Sequence, residues 1–565
     1  MKKLNLKYMS EVLGNVWECE KGTTIFAKGQ TGVGKSTAIL GNHKENIKGL
    51  IDHLEQGEKV IYLVNRNELK RELKLDLCSR YKIKIPMVKS EIDYNKLDKM
   101  SMFGNVTIMS YQTLSECVDK RERAKFDIYK QGKVDKIIEF EKSSFTLEHY
   151  RYIVCDEVHF IFSDSRFNGK TELVFNELIR CHYANSTKIF MTATDDCIKG
   201  VVNKAMEDIS KKLDLPQDKL FKTVSTGVDY SYLDVKYFKD KEDIITTIRN
   251  TEDKWLWFVS KKADANTIKN KLKSYGVTCE VITAKNGSDT KATIRETNKF
   301  DCRVLLSTSV LDCGVNIKDE ELTNVVIMCN DKDTFIQELG RKRININNPQ
   351  RVNLYIPMGK GSSFRQRFKI LENERKESEL FNKDREAFEQ KYDKNLGKIS
   401  NIFYRDYDGN YKKCITTLSV KYGDMWFNER MWKSMKLDKF AFIKEQLSWL
   451  ELEDTFDENN LISNVVSKKE VNELEKFLED CYKEDSLYTK EEFINEINTI
   501  IENDEKLNKL FTSLDGRNNR AKGQKKYNEL LKEIGLHYII VSKVKKKTID
   551  GKRMNVTYWI VGIEE

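Results

Sequence analysis

The sequence predicts an α/β fold with two parallel sheets in tandem, followed by a mainly helical region and a small basic α+β module. Three observations predict it. From residue 23 to about 360, short β-branched and aromatic runs alternate with amphipathic helical stretches. From about 361 to 510 the chain is rich in Lys and Glu at helical spacing. The last 55 residues carry twelve basic and six acidic side chains.

Length and composition exclude several classes of protein. The chain has 565 residues, of which 39% are hydrophobic, and 98 basic side chains nearly balance 89 acidic ones, leaving a net charge of +9. A disordered polyelectrolyte needs low hydrophobicity and a larger net charge. The mild basic excess permits nucleic acid as a partner without requiring it. None of the twelve cysteines forms a C-x-x-C pair, which disfavours a zinc site.

The sequence contains no run of eighteen apolar residues and no signal-peptide pattern at its start. We therefore expect no membrane partner and a cytoplasmic location.

Short apolar runs bounded by polar turns predict the strands of the two sheets. Helical stretches such as Glu68–Ser79 and Ala263–Ser274 lie between them, so the strands should be parallel. We place the joint near Ser225–Tyr232, which gives one domain over 1–228 and a second over 229–360. The predicted strands are Thr24–Ala27, Val60–Val64, Val106–Met109, Tyr152–Cys155, Lys188–Met191, Leu256–Val259, Val304–Ser307, Asn324–Met328 and Val352–Ile356.

Residues 361–487 form the predicted helical region, which one hairpin interrupts. Asp408-Gly409 lies between aromatic-rich alternating runs within Ile399–Tyr422, and Asp-Gly between strands is a strong hairpin signal. The hairpin could separate nucleic-acid strands, but we favour packing against the second sheet domain. The predicted helices of this region are Phe364–Lys383, Asp438–Leu452 and Lys468–Tyr482.

Residues 488–565 form the predicted basic module. The sequence predicts helices over Lys490–Asn503, Glu505–Thr512 and Lys522–Ile534, and then strands over Tyr538–Val544 and Val556–Val561. Three helices followed by a basic hairpin have the outline of a winged-helix module. Its basic residues would contact phosphates, which confers affinity rather than sequence choice. A solvated basic cap without a ligand is the alternative.

The strongest local pattern is the glycine-rich segment Gly29-Gln30-Thr31-Gly32-Val33-Gly34-Lys35-Ser36, which matches G-x-x-x-x-G-K-[ST] in full. It follows a predicted strand and opens a helix at Ser36-Thr37. Its backbone N–H groups would converge on phosphate oxygens, Lys35 would reach the β- and γ-phosphates, and the Ser36 hydroxyl would bind Mg²⁺. The segment therefore predicts a nucleotide triphosphate site.

A second pattern, Asp156-Glu157-Val158-His159, follows the predicted strand Tyr152–Cys155. Asp156 would hold Mg²⁺ directly or through water, and Glu157 would accept the proton of an attacking water. Taken alone the pattern is short, and acidic pairs more often lie on solvated surfaces. Together with the glycine-rich segment it predicts the catalytic half of the same site.

These two patterns resemble those of the superfamily 2 helicases of the DExH type, and further segments follow in that family's order over residues 20 to 360. Motifs I, II, V and VI are specific, whereas Ia, Ib and IV match loosely. The later segments are motif Ia at Asn65-Arg66-Asn67, Ib at Ser110-Tyr111-Gln112-Thr113, III at Thr192-Ala193-Thr194, IV at Phe258-Val259-Ser260, V at Ser307–Asn316 and VI at Gln337-Glu338-Leu339-Gly340-Arg341-Lys342-Arg343.

The resemblance implies two RecA-like domains that bind ATP and Mg²⁺ between them, with arginines of the second domain reaching the γ-phosphate when the cleft closes. It assigns catalysis to Gln337, Arg341 and Arg343 beside Lys35, Asp156 and Glu157. It assigns nucleotide contacts to Asp312 and Gly314. The residues that would couple the ATP site to the strand path are His159, Thr192 and Thr194, and those that would contact nucleic acid are Arg66, Gln112, Ser260 and Thr308.

Two departures from the family pattern matter. Motif VI usually ends in an arginine, but this chain has Ile344 at that position and Arg343 one place earlier. Either Arg343 takes the role of the missing arginine, or Arg341 acts alone. No glutamine occurs between Asn15 and Thr23 in the position of a Q motif. That absence argues against a DEAD-box protein and for loose nucleotide choice.

Three functional hypotheses follow. The first is an ATP-dependent helicase or translocase on DNA or RNA, with DNA favoured, acting in replication, recombination or repair. The second is a nucleotide-gated switch or loader that binds nucleic acid without processive unwinding. The third is the motor of a defence nuclease, whose nuclease would have to be a separate chain. The Lys-, Asn- and Ile-rich composition hints at an AT-rich bacterial or phage genome. Replication or defence proteins would then be the protein partners.

Overall fold

The computed structural model describes residues 3–65, 67–166, 170–194, 198–283, 288–308, 316–393, 399–462, 472–484, 486–514, 523–549 and 552–563. The chain divides into two compact units. The first comprises Met1–Tyr237, Asp253–Lys269 and Thr278–Asn460, and the second comprises Phe238–Glu252, Asn270–Val277 and Leu461–Glu565. The two predicted parallel sheets are present, both in an α/β arrangement, and the predicted fold class is confirmed.

The first sheet has seven strands in the order β5-β6-β2-β7-β8-β1-β9. All neighbours are parallel except β5 and β6, which are antiparallel. A two-stranded antiparallel ribbon, β3–β4, stands apart from it. The strands are β1 (Thr24–Lys28), β2 (Val60–Val64), β3 (Met87–Val88), β4 (Glu91–Ile92), β5 (Met102–Phe103), β6 (Val106–Ser110), β7 (Tyr152–Cys155), β8 (Thr187–Thr192) and β9 (Phe221–Ser225).

Helices accompany the first sheet, and we call sheet and helices together the first lobe. The interior strands β2, β7 and β8 are buried along their whole length. This burial is expected when helices cover both faces of a parallel sheet. The helices are α1 (Met9–Leu13), α2 (Lys35–Leu40), α3 (Asn67–Arg80), α4 (Tyr94–Lys99), α5 (Tyr111–Lys130), α6 (Asp135–Ser143), α7 (Phe160–Ser163), α8 (Thr171–Phe175), α9 (Lys199–Leu213) and α10 (Gln217–Leu220).

The second sheet has six strands in the order β10-β15-β14-β11-β13-β12, and the pairs from β15 to β12 are parallel. We call this sheet with α13 and α14 the second lobe. The elements are β10 (Leu233–Phe238), α11 (Lys241–Arg249), β11 (Lys254–Phe258), α12 (Lys262–Ser274), β12 (Cys279–Ile282), α13 (Ser288–Thr297), β13 (Val304–Ser307), β14 (Leu322–Ile327), α14 (Lys332–Leu339) and β15 (Val352–Pro357).

A helical region follows the second sheet. Its elements are α15 (Gly361–Lys383), α16 (Arg385–Asp393), β16 (Phe403–Arg405), β17 (Tyr411–Lys413), α17 (Ile415–Leu437) and α18 (Ala441–Ser448). The predicted hairpin exists, with Gly409 at φ +83° in its turn. Its second strand ends at Lys413, because the run that follows is helical, so the prediction of alternating strand up to Tyr422 is wrong.

The predicted packing of this hairpin against the second sheet domain is also wrong. Tyr407 at its tip donates a hydrogen bond to Asp119 on α5 at 2.8 Å, and its ring lies 5.7 Å from that of Phe126. Lys130 at the end of α5 pairs with Asp408 at 2.7 Å. The hairpin therefore docks on the first lobe, through aromatic and ionic contacts on one helix.

The second unit contains the predicted basic module. A hydrophobic core joins its helices to a three-stranded sheet of order β18-β20-β19. The hairpin strands have 12 residues each and are longer than the sequence predicts. The elements are α19 (Asn472–Lys483), β18 (Tyr488–Thr489), α20 (Lys490–Asn503), α21 (Glu505–Ser513), α22 (Gln524–Glu533), β19 (Tyr538–Ile549) and β20 (Lys552–Ile563).

Within the described ranges, no helix has both the length and the apolar character that crossing a membrane would demand. The same part of the chain holds no cluster of three or more His, Cys, Asp or Glu side chains suited to a metal ion.

Trp559 is the first test of this fold. It is buried in the core of the second unit, with its ring 5.8 Å from Phe493 and 6.2 Å from Tyr527. We expect Trp559→Ala to lower the local free energy of unfolding by about 3–5 kcal/mol, because it leaves a large cavity. Hydrogen exchange of the β19–β20 amides measures this. Val544→Ala on the same hairpin, at an exposed position, should change it by no more than about 0.5 kcal/mol.

Candidate nucleotide-binding site

The glycine-rich segment leaves the carboxyl end of β1 and turns sharply into α2. Gly32 and Gly34 have φ of +92° and +78°, a backbone conformation that side chains with a β-carbon rarely adopt. Lys35 begins α2, and its Nζ donates to the Gly29 carbonyl at 3.2 Å, which folds the side chain back over the loop. The loop is therefore shaped as a concave backbone surface with one ammonium group beside it.

Asp156 and Glu157 leave the carboxyl end of β7. Asp156 is buried, and Glu157 lies 2.9 Å from Lys35 Nζ through Oε1. Glu157 has φ of +49°, in the left-handed region, which is uncommon for a residue with a side chain and marks local strain. Burial favours a neutral Glu157, but Lys35 and then His159 outweigh it and hold the pKa of Glu157 well below its usual range. Glu157 is therefore ionised and paired.

The pKa of Asp156 is shifted in the opposite direction from that of Glu157. Burial, and then the charge of Glu157, raises the pKa of Asp156 to about 6. Among the described residues, no group donates a hydrogen bond to its buried Oδ1. A buried carboxylate oxygen without a donor is the environment that a hard divalent cation satisfies. Ser36 lies on the same cavity wall, so Asp156 and Ser36 fit the predicted Mg²⁺ site.

Tyr62 lies beside these two predicted metal ligands, and no sequence pattern singles it out. It lies in the middle of β2, wholly buried, and its hydroxyl donates to Ser36 Oγ at 3.3 Å. Burial, and then Asp156, raises the pKa of Tyr62 well above its usual value. Tyr62 thus stays protonated and remains a donor beside Ser36 and Asp156.

The second lobe supplies the opposite wall of the site. Arg341 lies just after α14 and donates through Nη2 to Gln337 Oε1 at 3.3 Å. Arg343 donates through Nε to Asn316 Oδ1 at 2.7 Å. A β-carbon at Gly340 would lie 2.5 Å from the Thr31 side chain, so a glycine is needed where the lobes touch. This close contact brings both candidate arginines to the glycine-rich loop.

The two walls enclose one cavity of about 690 Å³. Asn298 and Lys318 lie on its second-lobe side, and Glu72, Asp76 and Arg80 on α3 extend it on the other. The sequence-predicted residues that line it are Thr31, Gly32, Gly34, Lys35, Ser36, Thr37, Asp156, Glu157, Gln337, Arg341 and Arg343.

Three predicted loop residues do not line the cavity. Val33 is fully buried, and a β-carbon at Gly29 would meet the Met9 side chain. The Gln30 amide instead exchanges two hydrogen bonds with the backbone of Asp229, at 2.8 and 3.1 Å. Because Asp229 lies in the link between the sheets, the Gln30 side chain fixes that link to the loop.

The three predicted coupling residues cluster behind Glu157. The His159 ring Nδ1 lies 2.9 Å from Thr192 Oγ1 and 3.4 Å from Glu157 Oε2. Thr194 closes the cluster, since its N–H donates to Thr192 Oγ1 at 3.1 Å. Burial opposes a charged His159, but the carboxylates of Glu157 and Asp333 outweigh it and raise the pKa of His159. The cluster therefore joins Glu157 to a charged group on α14 of the second lobe.

Three of the predicted nucleic-acid contacts are among the described residues, and none of these three lines the cavity. Gln112 is half-buried in the first turn of α5. Ser260 is exposed, and its hydroxyl donates to the Met328 carbonyl at 2.8 Å. Thr308 is half-buried just after β13. Arg66, Asp312 and Gly314 lie outside the described residues.

Comparisons with known proteins bear on the same segments. The family model "DEAD/DEAH box helicase" matches residues 15–197, and the model "Helicase conserved C-terminal domain" matches residues 239–345. Together the two matches cover just over half of the chain. No curated protein matches the sequence.

Solved structures show weaker likeness. One is S. cerevisiae Dbp5 bound to RNA and ADP BeF3, with 17% identity, a TM-score of 0.37, and coverage of 59% of this chain and 78% of that one. Another is the Mycobacterium smegmatis helicase Lhr bound to ssDNA and AMP-PNP, with 14% identity, a TM-score of 0.39, and coverage of 64% and 48%. The family assignment rests on the two family models.

Acid titration of Asp156 is the test of this site. Only its carboxylate form binds a divalent cation, so we expect Mg²⁺–nucleotide affinity to fall as the pH drops through about 6. The Tyr62 side chain lowers the pKa of Asp156. Tyr62→Phe should therefore move the midpoint of this loss to higher pH. Binding of Mn²⁺–nucleotide, followed by electron paramagnetic resonance across the acid range, measures the midpoint.

The matched control for this titration is Tyr129→Phe, at an exposed position on α5. It should leave the midpoint where it is in the unaltered protein. An unchanged midpoint in Tyr62→Phe would contradict the proposed link between Tyr62 and Asp156.

Proposed function

Since the chain carries the two domains of a DEAD/DEAH box helicase of superfamily 2, we propose that it is a DExH-type motor. It couples ATP hydrolysis to movement along nucleic acid or to its unwinding. The observation that carries the proposal is the shared cavity, on which Lys35 and Glu157 of the first lobe meet Arg341 of the second. A nucleotide in it would contact both lobes, so its binding and hydrolysis would change how they fit together.

The first-lobe residues have distinct roles in this proposal. Lys35 exchanges its Glu157 partner for phosphate oxygens, which releases the Glu157 carboxylate to accept the proton of the attacking water. Ser36 and Asp156 would hold Mg²⁺, which would supply positive charge to neutralise the phosphates. Tyr62 orients Ser36 through its hydroxyl.

The second-lobe residues stabilise charge on the transferring phosphoryl group. Arg341 carries this role, with its side chain steadied by Gln337. Arg343 approaches the glycine-rich loop, with Nη1 3.9 Å from the β-carbon position of Gly32, and interacts with the charge of Glu157. Arg343 thus assists Arg341 although Ile344 replaces the family's last arginine.

Nucleic acid is the proposed track, with DNA favoured over RNA. In the first unit, Arg66, Gln112, Ser260 and Thr308 are the proposed backbone contacts. In the second unit, the β19–β20 hairpin is the proposed phosphate contact of a winged-helix module. Its core residues end near Lys543 and Tyr558, and Lys545 and Lys546 beyond them are exposed. At about 3.4 Å per residue, the rest of the hairpin is long enough to follow a groove.

We place the protein in the cytoplasm of a bacterial cell or a phage-infected host, in replication, recombination or repair. A nucleotide-gated switch or loader without processive unwinding is the second candidate. Motif VI has Ile344 in place of its last arginine, which favours the switch. Fewer arginines would stabilise less charge on the transferring phosphoryl group, so ATP would be hydrolysed slowly.

Turnover should depend on both lobes. Glu157→Gln removes the general base and should lower kcat by about 100- to 10,000-fold. Arg341→Ala should lower it by about a thousandfold. Steady-state ATPase rates with single-stranded DNA, duplex DNA and single-stranded RNA measure this and identify the track. Lys59→Ala, an exposed lysine on the first lobe, should retain the full rate.

Two results would contradict the motor. One is an ATPase rate that no nucleic acid stimulates. The other is ATP-dependent binding with no strand displacement or translocation, which would favour the switch.

Neutralising the hairpin should weaken binding without changing sequence preference. The double variant Lys545→Gln, Lys546→Gln should bind duplex with a weaker salt dependence. The slope of the logarithm of the binding constant against the logarithm of the salt concentration should fall by about one for each lysine lost. Fluorescence anisotropy over a salt series measures the slope. Lys490→Gln, an exposed lysine on α20 of the same unit, is the matched control and should leave it unchanged. An unaltered slope in the double variant would favour a solvated cap.

A further inference from the structure

Arg166 connects three parts of the first unit that are far apart in the sequence. Its Nε and Nη2 donate to the two carboxylate oxygens of Asp424 on α17, at 2.9 and 2.8 Å. The same Nη2 lies 3.2 Å from Asp331 Oδ2, just before α14. One guanidinium therefore bridges the segment after α7, the helical region and the second lobe.

Asp331 is the residue through which Arg166 reaches the second wall of the nucleotide site. It is the N-cap of α14, and its Oδ1 accepts from the Thr334 N–H and hydroxyl, both at 2.8 Å. The same helix carries Gln337 and leads directly to Arg341. A contact that fixes the first turn of α14 thus fixes where these two side chains face.

Asp424 is held on the side of the first lobe. The Thr416 N–H on α17 donates to Glu172 of α8 at 2.9 Å, and Thr417 Oγ1 donates to the Ser165 carbonyl, also at 2.9 Å. Neighbouring hydrogen bonds therefore fasten α17 to the first lobe. Of the ion pairs that Arg166 makes with Asp424 and Asp331, the one to Asp331 crosses to the second lobe.

The charges around Arg166 make an arginine the fitting residue. The Asp333 carboxylate also raises the pKa of Arg166 through its charge, in addition to the two carboxylates that contact the guanidinium. An arginine serves two carboxylates at once through its planar set of donors, whereas a lysine offers one point charge. Without a cation here, Asp424 of the helical region and Asp331 of the second lobe would repel each other.

We propose that Arg166 is a positioning residue that holds the two lobes in the closed arrangement. Its ion pair with Asp424 fixes the Arg166 side chain, and its ion pair with Asp331 binds the second lobe. We call these two ion pairs the latch. The latch makes alignment of Arg341 depend on the helical region. The inference rests on the proposed function, since its main consequence is for ATP turnover.

The test compares variants of the full chain. Arg166→Ala should lower nucleic-acid-stimulated kcat by about tenfold, within the range of typical coupling energies, and leave nucleotide affinity unchanged. Asp331→Asn should do the same, because asparagine caps a helix as well as aspartate but carries no charge. The double variant should be no slower than Arg166→Ala alone, because both remove one interaction. Steady-state kinetics and fluorescent-nucleotide titration give these values.

Arg430→Ala is the matched control. Arg430 makes a bidentate pair with Glu445 between α17 and α18, at 2.6 and 2.8 Å, and does not cross between the lobes. It should keep the full kcat. The latch is overturned if Asp331→Asn retains full kcat, if the losses multiply in the double variant, or if Arg430→Ala loses as much.

A second measurement separates this inference from the proposed function. Hydrogen exchange over residues 331–339 requires no turnover, and it should quicken in Arg166→Ala and in Asp331→Asn but not in Arg430→Ala. If the unaltered protein has no stimulated ATPase, the proposed function fails and the exchange result decides the latch alone. Unchanged exchange in both latch variants would overturn it.

Discussion

The ion pair between Lys35 and Glu157 is the interaction on which the rest of the site depends. Two charges so far removed from water cost several kcal/mol each unless they are paired, and at 2.9 Å each neutralises the other. The pair holds the glycine-rich loop against the end of β7. Glu157 adopts an unfavourable φ of +49° in the arrangement that places its carboxylate beside Lys35. A phosphate that pairs with Lys35 would compete with Glu157 for the same ammonium group. Phosphate binding would therefore weaken the hold of Lys35 on the proposed base.

The second constraint is the close approach of the lobes at Gly340. A side chain there would overlap Thr31, so the arginines of the second lobe reach the loop only because this position lacks a β-carbon. The N-terminal segment adds to the contact, since the Leu4 N–H donates to Ile346 of the second lobe and the Met9 N–H donates to Val33 of the loop. Backbone contacts thus place the lobes, and side chains inside the cavity remain available for a ligand.

The interior strands could be predicted because burial on both faces leaves a continuous apolar run. Three of the edge strands could not. Leu233–Phe238 and Cys279–Ile282 mix exposed and buried residues, and Phe221–Ser225 has no buried residue. The loop and the Asp156-Glu157 pair were predictable because their chemistry fixes local spacing. Tyr62 was not, because one tyrosine in a buried strand looks like core. The docking of Tyr407 on Asp119 joins residues 288 positions apart, and no local pattern contains that information.

The segment that follows Glu157 explains how an accessory region can belong to an ATP site. His159, near its start, contacts Glu157, and Ser165 and Glu172, near its end, accept hydrogen bonds from α17. A short stretch of chain is therefore fastened at one end to the proposed base and at the other to the helical region. Any shift of α17 must move this segment or break buried hydrogen bonds, which are costly to leave unmade. The helical region is for this reason part of the same compact unit as the nucleotide site, rather than an appendage to it.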